Sequence, residues 1–285
     1  MISRLQCGQR SLNLASPIVM GILNVTPDSF SDGGQLYRDR RIDLDALLNR
    51  AQAMVDAGAQ MLDIGGESTR PGADEVSEGE ELDRVLPAIE ALAARFDVVI
   101  SVDTSSPEVM TEGARLGAGF LNDVRGFRRP GALEAAAATH LPICIMHMQG
   151  EPSTMQAAPA YLDIITDVRQ FLEERIAACT LAGIAAQQIV VDPGFGFGKT
   201  ADQNFEMLAR LGELNFDQQP LLVGLSRKSM IASVVDRGPD ERLHASLGLA
   251  MIAVERGARI VRVHDVAETV DALAMWRALP RSFDQ

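Results

Sequence analysis

The amino-acid sequence predicts an α/β fold, a (β/α)8 TIM barrel with a short N-terminal hairpin. Three observations indicate it: eight short apolar runs recur along the chain, amphipathic segments separate them, and 285 residues suffice for one large barrel. Strict alternation of strand and helix indicates parallel strands joined by right-handed crossovers. Eight such units in this length favour a closed barrel over an open sheet.

The predicted strands are short and bounded by polar residues, glycine or proline, as buried parallel strands are. They cover residues 18–23, 61–64, 98–102, 120–121, 143–146, 189–191, 221–224 and 260–263. Helical periodicity is clearest over residues 161–178, and it recurs over 44–55 and 82–92. The sequence of residues 5–14, around Cys7 and Gly8, predicts a short hairpin that caps the bottom of the barrel, at the amino-terminal ends of its strands. The chain contains no glycine- and serine-rich linker, so we expect residues 1–285 to form one domain.

The composition of the chain argues against several classes of partner and cellular compartment. A net charge of −13 argues against nucleic acid and anionic membranes as partners. No run approaches the roughly 20 apolar residues of a membrane span, and the first 14 residues do not resemble a signal peptide. Three distant cysteines, Cys7, Cys144 and Cys179, argue against a disulfide framework and favour a reducing cytoplasm.

Polar side chains stand at or just after the ends of all eight predicted strands. In chain order they are Asn24, Asp63, Asp103, Asn122, His147, Asp192, Lys228, Arg262 and His264. One such residue would usually be a turn former. In a barrel, however, chemistry lies at the carboxyl ends of the strands, so eight polar ends together predict a site.

One group of these residues suits a flat, polar heterocycle. The side chains of Asp103, Asn122 and Asp192 accept hydrogen bonds from amines and ring N–H groups. Lys228 adds a donor for a carbonyl, and Met146 belongs to the pocket floor. The sequence therefore predicts a heterocycle subsite.

A second group suits an anion. Arg70 and Arg262 offer bidentate forks for phosphate oxygens, and a protonated His264 adds donors. Asn24 could ligate a magnesium ion on the same phosphates, because Mg²⁺ prefers oxygen ligands. His147 and His264 could suggest zinc, but no third ligand appears at a fitting spacing.

Three glycine-rich segments are expected to be loops at this end. The segment 192–201, DPGFGFGKTA, is not a Walker A motif, because Pro193 stands where the motif needs glycine, and its match to the dinucleotide fingerprint is weak. We expect a flexible loop that leaves Asp192 exposed. Residues 26–34 and 65–72 are expected to be lids, with Phe30 as apolar cover and Arg70 as a charge.

These residues occur within longer motifs. The segments 21–34, GILNVTPDSFSDGG, and 63–72, DIGGESTRPG, resemble the two signatures of the dihydropteroate synthases. Six shorter motifs follow in the family's order: SVDT at 101, NDV at 122, MHMQG at 146, DPG at 192, SRKS at 226 and RVHD at 262. The resemblance spans residues 18–266 and shows no departure at the ligand-binding positions.

The resemblance implies a homodimeric barrel that uses Mg²⁺ and joins a dihydropterin pyrophosphate to 4-aminobenzoate in folate biosynthesis. It assigns the pterin to Asp103, Asn122, Asp192 and Lys228, and the pyrophosphate with its metal to Asn24, Thr69, Arg70, Arg262 and His264. The 4-aminobenzoate would lie among Phe30, Thr69, Pro71, Phe197 and Ser229. Both signatures are intact, so we also expect sensitivity to sulfonamides.

Two alternatives remain open at this point. A methyltetrahydrofolate-dependent methyltransferase domain shares the barrel and a related pocket, but Arg70 and Arg262 would then have no pyrophosphate to bind. A non-catalytic pterin-binding barrel would need neither the anion-binding residues nor the two lid segments. A turnover assay with both substrates separates the three possibilities.

Overall fold

The computed structural model of the chain describes residues 3–26, 37–38, 41–68, 76–151, 154–156 and 159–279. The strands are β1 Arg4–Cys7, β2 Arg10–Asn13, β3 Ile18–Asn24, β4 Tyr37–Arg38, β5 Arg41–Ile42, β6 Met61–Gly65, β7 Val99–Asp103, β8 Phe120–Asp123, β9 Ile143–Met146, β10 Ile189–Asp192, β11 Leu221–Val223 and β12 Ala258–Val263. The α-helices are α1 Leu44–Asp56, α2 Glu78–Arg95, α3 Pro107–Arg115, α4 Ala132–Thr139, α5 Ile164–Leu181, α6 Ala201–Ala209, α7 Leu243–Glu255 and α8 Val266–Ala278.

Within these residues, eight parallel strands close a barrel in the order β3, β6, β7, β8, β9, β10, β11, β12 and back to β3. Helices separate the strands, so the predicted (β/α)8 architecture is confirmed. The strands follow the predicted ranges closely, and several extend one or two residues further into the polar ends. The assignment of residues 1–285 to a single domain stays a prediction.

The lower half of the barrel interior is apolar. Met20, Met61, Val99, Phe120, Cys144, Val190, Leu222 and Ile260 form one cluster there. The predicted hairpin is confirmed as the antiparallel pair β1–β2, and its Leu5, Cys7, Leu12 and Leu14 belong to the same cluster. The hairpin therefore closes the amino-terminal end of the barrel and leaves the other end for the site.

The strand register places polar residues level with one another at the carboxyl end. Asn24 pairs with Gly65, Gly65 with Asp103, and Asp103 with Asn122. Gly65 leaves room between its neighbours, since a Cβ at this position would lie 3.7 Å from a carboxylate oxygen of Asp103 and 3.8 Å from the amide oxygen of Asn24. The register thus forms one polar layer above the apolar one.

Local sequence explains where the flanking helices begin. Ser77 and Glu80 form a capping box at the start of α2, and Thr200 and Gln203 form another at the start of α6. The second box fixes α6 immediately after the glycine-rich segment. Among the described helices, none has the length and apolar character to span a membrane.

Candidate functional site

A cavity of about 600 Å³ opens at the carboxyl ends of the barrel strands. Its walls include ten of the predicted site residues: Asn24, Asp103, Asn122, Met146, Asp192, Phe197, Lys228, Ser229, Arg262 and His264. The other four, Phe30, Thr69, Arg70 and Pro71, lie outside the described residues. The predicted clustering of strand ends is therefore found for the described part of the site, while the individual binding roles stay predictions.

A chain of ion pairs crosses the floor of the cavity. Nε of Arg262 donates to Oδ2 of Asp63 at 2.6 Å, and its Nη2 donates to Oδ2 of Asp103 at 2.8 Å. Asp63 is fully buried and also accepts from Ser101 Oγ at 2.5 Å and from Asn122 Nδ2 at 3.3 Å. The bonds of Arg262 to Asp63 and Asp103 use two of the five N–H donors of its guanidinium group. Arg262 is thus held rigidly across the barrel with donors left for a ligand.

Burial dominates the protonation of the groups that face the cavity. It raises the pKa of Asp103, although the neighbouring Arg262 acts in the opposite direction and favours the carboxylate of the ion pair. Burial raises the pKa of Asp192 to about 6, and it lowers the pKa of Lys228 to about 8, with Arg262 adding to the effect. These groups are poorly solvated in the free protein, so a ligand with matching donors and acceptors would satisfy them.

The glycine-rich segment 192–201 was expected to be a flexible loop that leaves Asp192 exposed, and the structure differs in the burial of Asp192. Asp192 is only 6% exposed, and its Oδ1 accepts from the backbone N–H of Gly194 at 2.7 Å. The segment is pinned by side chains, because Gly196 N donates to Asn204 Oδ1 at 2.8 Å and Gly198 O accepts from Tyr161 Oη at 2.6 Å. The expected exposure of Asp192 is wrong, because glycine content indicates only the backbone angles that the segment requires, whereas contacts between residues distant in sequence decide burial.

The side chains of Lys228 and Phe197 contact each other at the cavity wall. The ammonium nitrogen of Lys228 lies 4.2 Å from the ring centroid of Phe197, a cation–π contact. Gly196 permits this approach, because a Cβ there would lie 3.2 Å from Cδ of Lys228. Lys228 was assigned to the pterin and Phe197 to the 4-aminobenzoate, so their contact lies where the two predicted subsites meet.

His264 is neutral, contrary to the protonated form expected. Burial, with Arg262, Arg227 and Lys228 nearby, lowers its pKa to about 3. Its Nδ1 lies 3.0 Å from Ser226 Oγ, and Ser226 Oγ also accepts from the backbone N–H of His264 at 3.2 Å. When the Ser226 hydroxyl donates to Nδ1, the ring proton resides on Nε2. His264 then offers one neutral donor to an anion rather than a charge.

A buried ion pair lies at the cavity wall, where Glu67 is one of the lining residues. Both terminal nitrogens of Arg125 donate to Glu67, each at 2.8 Å, and the Arg125 and Glu67 side chains are 6% and 9% exposed. Arg125 also donates to Ser105 at 3.0 Å and lies 3.4 Å from Glu151. Glu67 belongs to the second signature, residues 63–72, so this pair holds the signature in place at Glu67.

Several cavity or floor residues were not assigned a role from the sequence. They are Asp63, Glu67, Met155, Gln156 and Arg242. Asp63 had a usable signal, because it falls in a predicted strand, opposite Ser101 and two register positions below Asp103. The others come from segments between strands and helices, where no periodicity predicts direction.

The described residues contain no group of three or more His, Cys, Asp or Glu side chains placed to hold a metal ion. Asn24 is half-buried at the end of β3 and lines the cavity, and its carboxamide oxygen is of the type that Mg²⁺ prefers. A magnesium site here would therefore take one protein oxygen and complete its shell with water and phosphate oxygens, which is how Mg²⁺ is commonly held.

Comparison with known proteins gives concordant results. A model of the family described as "Pterin binding enzyme" matches residues 20–264. The dihydropteroate synthase of Escherichia coli (strain K12) is 56% identical over 268 residues, which cover 94% of this chain and 93% of that protein.

Solved structures are equally similar. The Yersinia pestis dihydropteroate synthase in complex with a sulfonamide drug superposes with a TM-score of 0.93 at 54% identity, covering 96% of this chain and 98% of that one. The Xanthomonas albilineans dihydropteroate synthase with 4-aminobenzoic acid has a TM-score of 0.90 at 46% identity, covering 98% of this chain and 100% of that one.

Proposed function

Because the chain belongs to the pterin binding enzyme family and, within it, to the dihydropteroate synthases, we propose a transfer reaction for its cavity. The dihydropterin-methyl group of 6-hydroxymethyl-7,8-dihydropterin pyrophosphate passes to the amine of 4-aminobenzoate. A C–O bond to pyrophosphate breaks, a C–N bond forms, and the amine loses a proton. The products are 7,8-dihydropteroate and pyrophosphate. The observation that carries the proposal is the Asp63–Arg262–Asp103 chain beside Asp192 and Lys228 in one cavity.

The buried carboxylates suit the pterin. A pterin presents an amino group and a neighbouring ring N–H on one edge, which match the two oxygens of Asp192. Lys228 can donate to the ring carbonyl, and Asp103 and Asn122 complete the layer. Because burial raises the pKa of both aspartates, charge-assisted bonds to the pterin offset a cost that the free site carries.

The pyrophosphate needs stabilised negative charge and no covalent catalyst, because it is already a good leaving group. Arg262 offers its remaining N–H donors, and His264 offers the Nε2–H. Fixed donors aimed at departing charge are an effective source of catalysis in a dry site. By resemblance, Thr69 and Arg70 add to this subsite. The 4-aminobenzoate would lie against Phe197 and Ser229, with Phe30 and Pro71 completing its slot.

Magnesium is part of the proposal. The carboxamide oxygen of Asn24 is a hard ligand at the cavity wall, and bound Mg²⁺ would supply charge neutralisation to the pyrophosphate. Calorimetry of pyrophosphate binding tests this role directly. We expect Mg²⁺ to strengthen binding to the native protein and to strengthen it much less in Asn24→Ala. An equal effect of Mg²⁺ on both proteins would remove Asn24 from the metal site.

Turnover is the decisive test of the reaction. Purified protein with Mg²⁺ and both substrates should release pyrophosphate and form dihydropteroate. A folded protein that binds the pterin and shows no turnover would instead support a non-catalytic pterin-binding barrel. The methyltransferase alternative finds no support among the relatives described above, which are named as synthases.

Sulfonamide binding tests the aminobenzoate slot. A sulfonamide resembles 4-aminobenzoate in shape and charge, and the Yersinia pestis relative has been solved with such a drug. We therefore expect competitive inhibition against 4-aminobenzoate. Inhibition that is noncompetitive with 4-aminobenzoate would contradict the slot assigned to Phe197 and Ser229.

We also propose a homodimer in the cytoplasm. Exposed apolar side chains on the neighbouring helices α7 and α8, namely Ile252 and Met275, support association of two copies. The three unpaired thiols Cys7, Cys144 and Cys179 support a reducing compartment. Light scattering on the purified protein tests the dimer: a mass of twice 30.7 kDa is expected, and a monomer at micromolar concentration would exclude it.

A further inference from the structure

The glycine-rich segment of residues 194–198 encloses a buried ammonium group. Lys199 is 3% exposed, and its Nζ donates to the carbonyl oxygens of Gly194 at 2.8 Å and Phe197 at 3.0 Å. Its third neighbour is Nδ1 of His147 at 2.9 Å. Burial lowers the pKa of Lys199 to about 7. In the charged form its ammonium group has three donors and no acceptor, so all three N–H bonds are matched. His147 must then present a lone pair at Nδ1 and carry its proton on Nε2.

The surroundings keep His147 in that role. Its ring is buried, and its edge packs against Phe171 with centroids 4.9 Å apart. Burial, with Lys199 beside it, holds the pKa of His147 well below its usual range. The imidazole is therefore neutral and acts as a fixed acceptor at the end of β9.

The segment needs such an anchor because its own backbone is permissive. Gly194, Gly196 and Gly198 all have positive φ values, between 61° and 80°. A Cβ at Gly194 would lie 1.9 Å from the carbonyl oxygen of His147, so glycine is required where the segment passes the residue that follows β9. Glycine-rich backbone has many conformations available when unrestrained, and side-chain contacts must select one.

The two carbonyl groups that Lys199 binds belong to residues that form the ligand-facing surface. Gly194 donates its N–H to Asp192 Oδ1, and Phe197 places its ring under the ammonium of Lys228. Fixing these two residues therefore fixes a pterin-facing carboxylate and an aromatic wall of the aminobenzoate slot together.

We propose that Lys199, with His147 as its acceptor, is a positioning residue for both substrate subsites. Lys199 acts through the segment 194–198, and neither residue of the pair is among those lining the cavity. The inference rests on the proposed function, because the subsites it connects are those of the synthase reaction. It gives the Gly-Lys-Thr sequence at 198–200 an internal structural ligand in place of a nucleotide phosphate.

The kinetic test uses Lys199→Met, which keeps chain length and removes all three donors. We expect the KM for both substrates to rise about tenfold or more, with a smaller change in kcat, because binding surfaces move and the reacting groups are unchanged. Calorimetry should show weaker binding of pterin alone. Native KM values in a folded Lys199→Met protein would overturn the proposal.

A matched pair at His147 guards against a folding failure of Lys199→Met. His147→Asn and His147→Leu both remove the ring, but asparagine keeps an oxygen acceptor near the position of Nδ1. We expect His147→Asn to retain most of the substrate affinity and His147→Leu to behave like Lys199→Met. Equal KM values in the two variants would show that the acceptor has no role.

Nitrogen NMR on histidine-labelled native protein tests the pairing itself. The chain has four histidines, so the signals can be assigned by single substitutions. We expect an unprotonated Nδ1 and a protonated Nε2 at His147 at pH 6, where Lys199 carries its charge. A proton on Nδ1 of His147 would overturn the pairing. Absence of synthase turnover in the native protein would instead count against the proposed function, so the two failures are distinguishable.

Discussion

At the scale of single residues, Asp192 gives the sharpest test of the pterin subsite. Asp192→Asn keeps the size of the side chain but replaces one acceptor with a donor that faces a pterin donor. An unpaired buried donor costs about 1–3 kcal/mol, and the lost charge assistance adds to it. We expect kcat/KM to fall about a hundredfold. Near-normal steady-state kinetics in the folded variant would reduce Asp192 to a turn residue before Pro193.

The same substitution has an opposite effect on stability that depends on pH. Burial raises the pKa of Asp192 from 3.8 to about 6. A raised pKa contributes stability that is full below pH 3.8 and is lost as pH rises through 6. Asp192→Asn does not titrate, so its unfolding free energy should exceed that of the native protein by up to about 3 kcal/mol above pH 6. Denaturant unfolding at pH 4 and pH 7.5 measures the difference, and a less stable variant at pH 7.5 would contradict it.

Ser226 tests the neutral His264. Ser226→Ala removes the hydroxyl that contacts both Nδ1 and the backbone N–H of His264. We expect affinity for pterin pyrophosphate to fall about three- to tenfold, since one net hydrogen bond is worth roughly 1 kcal/mol. Affinity for free pterin should not change. His264→Gln, which keeps a donor near Nε2, should bind better than His264→Ala, and equal losses in these two would exclude the donor role.

At the scale of elements, the strands bring the site residues level and the buried ion pairs hold the connecting segments. The Glu67–Arg125 pair links the segment after β6 to the segment after β8. Arg125→Met leaves the buried Glu67 carboxylate with only the longer contact to Arg129 at 3.9 Å. Breaking a buried pair typically costs about 3–5 kcal/mol, and we expect a loss of up to that size. The KM for pterin pyrophosphate should also rise, because Glu67 precedes the signature residues predicted to bind it.

Arg115→Met is the matched control for this prediction. Arg115 pairs with Glu112 at the helix surface, where its side chain is 71% exposed. An exposed pair of this kind contributes at most about 1 kcal/mol. Denaturant unfolding of both variants compares the two, and the two losses should differ clearly. Similar losses would show that the Glu67–Arg125 pair does not stabilise the native structure beyond an ordinary surface contact.

At the scale of the whole molecule, stability and chemistry occupy opposite ends of the barrel. Leu5 of the hairpin is 1% exposed within the lower apolar cluster, far along the strands from the cavity. Leu5→Ala should lower the unfolding free energy by about 2–4 kcal/mol through cavity formation. Because distant sites act independently, kcat/KM should stay within about twofold of native. A large kinetic effect measured below the melting transition would contradict this separation.

The sequence by itself determined the order of elements, the barrel class and the residues at the strand ends. Hydrophobic periodicity and turn residues are local signals, so the strands were predicted to within one or two residues. The alignment of Asn24, Asp103 and Asn122 at one edge then follows from parallel strands in a closed barrel.

Only the tertiary structure decided how those residues pair and how they are charged. Arg262 meets Asp63 across 199 positions of sequence, and Lys199 finds its acceptor 52 positions away in His147. Ion pairing and hydrogen bonding depend on distances of a few ångströms, and desolvation depends on what packs around a group. Neither is a local property of the chain, which is why the neutral His264 and the pinned segment 194–198 could not be derived from the sequence.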